Sequence, residues 1–119
     1  MSLQSFTVAY CDALFWSEVD HDSGEPMDKN YGIHDLAPEA RAEIKEQCRV
    51  FYEQNTGLFG NDSQAGHDFA LTRNRHGAGF WDRPEMYGVE NVKTLTAAAR
   101  NAREQHLYVG DDGQVFTCG

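Results

Sequence analysis

The chain has 119 residues, 40% hydrophobic and 12% aromatic, which suits one folded domain and is too apolar for a disordered chain. Nineteen acidic residues against ten basic ones give a formal net charge of −9, which excludes whole-surface attraction to nucleic-acid phosphates as the main activity. A membrane span is excluded too, because the longest uncharged apolar stretch is only Ala13 to Trp16.

Ser5 to Ser17 reads as a short helix, with Phe6, Tyr10, Ala13 and Leu14 on one stripe and Trp16 beside it, and a strand is the competing reading because Phe6, Val8 and Tyr10 also alternate. Val19 to Tyr31 is a polar loop rich in Asp, Gly, Pro and Asn. The second helix is the clearest element. Pro38 stands in its first turn, and Leu36, Ala40, Ile44, Cys48, Phe51 and Tyr52 line one face up to the Asn55-Thr56-Gly57 stop. His67 to Thr72 alternates apolar and polar residues, Asn74 to Gly79 is turn material, and Phe80-Trp81-Asp82 resumes an extended run, together predicting a β-hairpin that Pro84 ends. A third helix starts near Val89, carrying Lys93, Arg100 and Arg103 on its exposed side. Leu107-Tyr108-Val109 and Val115-Phe116-Thr117 flank Gly110-Asp111-Asp112-Gly113, a second hairpin. The predicted order α-α-β-β-α-β-β is an α+β fold in a single small domain, with an antiparallel sheet and helices packed on one face. Cys11, Cys48 and Cys118 form no CxxC pair and are odd in number, so free thiols are expected. The N-terminus lacks a basic n-region and an apolar h-region, so a cytoplasmic location is expected.

The central stretch His67 to Arg83 gathers His67, Asp68, Arg73, Asn74, Arg75, His76, Trp81, Asp82 and Arg83. Three readings apply. In the structural one, Arg73 or Arg83 pairs with Asp68 or Asp82, while Phe80 and Trp81 fill the core. In the second, the arginines and His76 surround Trp81 as a surface for a phosphate, a base or an acidic patch. In the third, His67, Asp68, His76 and Asp82 form a catalytic or metal site of a small hydrolase or nuclease-like enzyme, although their spacing matches no standard ligand pattern. No cofactor-binding motif is present, and none is expected to be bound.

The front of the chain is the acidic part: residues 1–62 hold 12 acids and 4 bases, against 7 and 6 in residues 63–119. Glu18, Asp20, Asp22, Glu25 and Asp28 cluster in the first loop. Asp20-His21-Asp22 faintly resembles the start of a calcium loop, but Glu25 and Tyr31 stand where an EF-hand needs Gly and Glu. The loop therefore reads either as a solvated segment or as a surface that imitates nucleic-acid phosphates and engages a basic partner.

The stretch from Gly66 to Arg83, with Asp35-Leu36-Ala37-Pro38-Glu39 and Leu107 to Gly113, resembles a family of small acidic proteins of bacteriophages and mobile elements. The resemblance spans roughly residues 6–117. Two positions depart from it: Arg75, where a small residue such as Gly is expected in the turn, and Pro84-Glu85, where Gly is expected. The resemblance implies a cytoplasmic role in host takeover, counter-defence or element maintenance, and no particular activity. The overall expectation is a non-enzymatic accessory protein whose acidic face meets a basic host or phage protein. A His/Asp enzyme and direct nucleic-acid binding through the Arg and Trp residues are the alternatives.

Overall fold

Ser2 caps the first helix, its hydroxyl accepting from the Ser5 amide at 3.1 Å, in a computed structural model that describes residues 2–118. Met1, where the signal-peptide reading begins, lies outside the described residues. Helix α1 is Leu3–Ser17, followed by the short α2 (Met27–Asn30) and a 3-10 turn at Ile33–Asp35. Helix α3 spans Pro38–Gln54, with Pro38 at its first position, where a missing N–H removes no helical hydrogen bond. Helix α4 covers Asp62–Arg73, a second 3-10 turn covers Phe80–Asp82, and α5 (Pro84–Tyr87) and α6 (Val89–Asn101) follow. Strands β1 (His106–Val109) and β2 (Val115–Cys118) close the chain.

The class is α+β, with helices dominating and, among the described residues, one antiparallel two-stranded sheet. Its register pairs Leu107 with Thr117 and Tyr108 with Phe116, which places the turn at Gly110 to Gly113 as expected. The sheet joins the helical body where the Ala37 amide donates to the Val115 carbonyl at 2.9 Å. The cysteines are free, Cys11 and Cys48 within the core and Cys118 at the surface. Burial pushes the Cys11 thiol up to about 12, so it stays protonated and inert.

The central hairpin is corrected. His67 to Thr72 belongs to α4, and Phe80-Trp81-Asp82 is a 3-10 turn rather than a strand. Ala65, Gly66 and all of Asp68 to Arg73 are buried, so α4 is enclosed on nearly every side and carries no single apolar stripe. Its six central residues then imitate the alternation of a strand. The helix signal lies upstream: Asn61 is its N-cap, with Oδ1 accepting from the Gln64 amide at 3.0 Å.

Helix α4 lies directly against α1. A Cβ at Gly66 would stand 2.0 Å from the Phe6 carbonyl oxygen, so the two backbones meet where only glycine fits. Further along both helices, Tyr10 meets Phe69 and Arg73. Around this seam the core is aromatic: Phe51 stacks on Phe69 with centroids 4.0 Å apart, Phe6 packs against both, and Phe80 sits edge-on to Tyr87. Trp81, which the structural reading of the central stretch places in the core with Phe80, is 43% exposed, while Phe80 is buried.

Candidate functional site

The polar residues of the central motif divide between two buried networks and the surface. Asp68 is the hub of the first network and is wholly buried. Its carboxylate accepts from Tyr87 Oη at 2.6 Å, and from Arg83 Nε and Gln64 Nε2 at 3.1 Å each. Burial alone would raise this carboxyl. The His67 ring, the Tyr87 hydroxyl and the Arg83 guanidinium outweigh it and hold Asp68 below the ordinary carboxylate range. Its burial and its bond to Asp68 keep the Tyr87 hydroxyl protonated.

Arg73 anchors the second network. Its guanidinium is buried over the Phe69 ring, with Nε donating to the Arg103 carbonyl at 2.7 Å and Nη2 to the Ala102 carbonyl at 2.9 Å. These are carbonyls at the C-terminal end of α6, where a cation also meets the negative end of the helix dipole. Nη1 donates to Tyr10 Oη at 3.1 Å, and Tyr10 in turn donates to Gln105 Oε1. Asn74 exchanges two hydrogen bonds with the Gln105 backbone, at 2.8 and 2.7 Å. Arg73 and Asn74 therefore hold α4 to the entry of β1.

The structure joins Asp68 to Arg83 but does not assemble His67, Asp68, His76 and Asp82 at one point. Asp82 Oδ1 accepts from the Gly79 amide at 3.2 Å, tying down its own turn. Gly79 adopts φ +154°, and a Cβ there would meet the Thr72 hydroxyl at 2.2 Å. That hydroxyl accepts from the Phe80 amide, so the turn is fastened to α4. His67 and His76 instead approach the same Trp16 indole, at centroid distances of 6.3 and 5.8 Å. His67 Nδ1 is buried without a hydrogen-bond partner, 3.5 Å from Asp68 Oδ1. Among the described residues, no group of three or more His, Cys, Asp or Glu side chains is disposed to hold a metal ion.

The acidic loop is likewise divided. Glu18 reaches His106 Nδ1 at 3.0 Å and the Leu107 amide at 3.1 Å. Asp20 is buried and accepts from the Asp22 amide and the Ser23 hydroxyl, while Glu25 pairs with Lys29. Asp22 and Asp28 remain exposed, with no cationic side chain within 4.0 Å among the described residues, and Asp12 on α1 shares that state.

Asp12 and Asp28 line one cleft of about 460 Å³, with Trp16, Tyr31 and His67. A larger cleft, about 760 Å³ between α1 and α3, is mostly apolar and is lined by no residue of the central His67 to Arg83 stretch. Sequence reasoning missed Tyr87 and Gln64 as partners of Asp68, and Trp16 and Asp12 as cleft residues. Two spacings of four were readable, Asp12–Trp16 on the predicted first helix and Gln64–Asp68 once that segment is known to be helical. No family model, no curated protein and no solved structure matches this chain. Among the described residues, no helix is long and apolar enough to cross a membrane.

Proposed function

We propose that this protein is a non-enzymatic accessory protein of a phage or mobile element that binds a basic protein partner at the cleft between α1 and α2. The observation that carries this reading is the pair of exposed carboxylates, Asp12 and Asp28, beside the half-exposed Trp16 and Tyr31. A lysine or arginine entering there meets a carboxylate and an aromatic face together, a combination that selects cations. The remaining excess of negative charge speeds the approach of a basic protein. The central motif supports the reading indirectly, because Asp68, Arg73, Asn74 and Arg83 hold the fold together and leave the surface to do the binding. The phage or mobile-element setting rests on the resemblance of residues 66–83.

The test is a fluorescence titration of Trp16, in a Trp81→Phe background, with an arginine-rich peptide. Saturable binding that weakens as salt rises, and weakens about tenfold or more in Asp12→Asn/Asp28→Asn, is the expected result. Affinity unchanged by both salt and the double substitution overturns the proposal.

A further inference from the structure

A third cleft, of about 350 Å³, lies between the C-terminal ends of α4 and α6 and carries the opposite charge to the acidic one. It is lined by Arg73, Arg75, Arg100, Arg103, Glu104 and His106. Gathering four of the chain's ten cations around one acid is unexpected in a protein of net charge −9. That one carboxylate, Glu104, is already engaged by His106 Nε2 at 2.7 Å. Arg75, Arg100 and Arg103 are exposed, and no carboxylate lies within 4.0 Å of them among the described residues.

Helix capping does not account for these side chains. The Ala102 and Arg103 carbonyls at the end of α6 are taken by Arg73. At the end of α4, the Thr72 and Leu71 carbonyls accept from the backbone amides of Arg75 and His76. The two arginines also stand where side chains are disfavoured. Arg75 has φ +56° and Arg103 φ +69°, the only non-glycine residues with positive φ among those described. Each sits just past its helix, at the left-handed position that glycine usually fills. Two arginines held at glycine positions on facing helix ends, both lining one cleft, point to a ligand that needs them.

We propose that this cleft binds the phosphate chain of a small ligand such as pyrophosphate or a nucleoside diphosphate. Guanidinium forks match phosphate oxygens and stay charged at every physiological pH. The size of the cleft suits a small molecule, and the net charge of the protein repels a long polyanion. The site is distinct from the acidic cleft and does not depend on it.

The experiment is isothermal titration of the full chain with pyrophosphate, ADP and a single-stranded oligonucleotide, for the native protein and for Arg75→Gly, Arg103→Gly and Lys45→Ala. Pyrophosphate and ADP are expected to bind saturably, one per chain. Arg75→Gly and Arg103→Gly each weaken this by about tenfold or more, the effect of one lost charge-assisted contact. Both variants keep or raise the melting temperature, so weaker binding is not a folding failure, and Lys45→Ala binds as the native protein does. ADP tighter than pyrophosphate, or equal to it, supports the assignment and decides whether the nucleoside contributes. Absence of saturable binding, or unchanged affinity in both glycine variants, overturns it. Oligonucleotide binding tighter than ADP also overturns it, in favour of a nucleic-acid backbone.

Discussion

Asp68→Asn tests the buried network with little change in volume. Asparagine keeps one acceptor oxygen and opens no cavity, so the effect isolates the charge and the hydrogen bonds. Three donors, from Tyr87, Arg83 and Gln64, converge on the native carboxylate. An amide cannot accept from all of them, and one donor is left facing an NH₂ group. Breaking a fully buried ion pair costs about 3–5 kcal/mol. The Arg83 side chain is 31% exposed and can turn to water, which lowers the loss here to about 2–3 kcal/mol. In urea unfolding followed by circular dichroism, that corresponds to a midpoint lower by about 1–2 M. The pH dependence adds a sign. The folded carboxyl is held below its ordinary value of 3.8, so its contribution is present above that value and lost as pH falls through the folded pKa. The gap between native protein and variant is therefore full at neutral pH and shrinks in acid. A gap under about 0.5 kcal/mol, or one that stays constant into strong acid, refutes Asp68 as an ionised hub.

Gly66→Ala drives a Cβ to within 2.0 Å of the Phe6 carbonyl oxygen, so thermal denaturation is expected to show a loss of more than about 3 kcal/mol, beyond ordinary overpacking. Arg75→Gly relieves a left-handed arginine and is expected to raise stability by about 1 kcal/mol in the same assay. His106 is partly buried, which lowers its pKa, but Glu104 and Glu18 outweigh that and raise it above 6.5. Its stabilising effect is therefore present below that value and lost as pH rises through the folded pKa. Because the ring is 37% exposed, the effect is under about 1 kcal/mol, read as a gap between native protein and His106→Asn that is full in mild acid and narrows as pH rises above 6.5.

Local chemistry made α3, α6 and the C-terminal hairpin readable. Pro38 in a first turn, a stripe from Ala40 to Phe51, and an Asp-Gly turn between β-rich runs each act within a few residues. Helix α4 was not readable, because its pattern is set by neighbours on every side rather than by a water-facing edge. Its glycine answers to Phe6, sixty residues earlier in the chain, and its Asp68 to Tyr87. The pairing of Asp68 with Arg83 was legible as one of several choices, since carboxylates and arginines close in sequence have few other partners when buried. Both clefts were hidden for a related reason. Asp12 and Trp16 share a face of α1 at a spacing of four, but Asp28 joins them only because α2 folds back on α1, and Arg75 meets Arg100 and Arg103 only where two helix ends converge.

The functional account stands on recognition of cationic side chains at Trp16 rather than at the motif's own tryptophan. The direct measurement is an NMR titration of the ¹⁵N-labelled chain with an arginine-rich peptide, following the two indole N–H signals and the amides of Asp12, Asp28 and Tyr31. Saturable movement of the Trp16 indole and these amides, with the Trp81 indole stationary, is the predicted result. Movement centred on Trp81, or shifts spread over the surface without saturation, contradicts it.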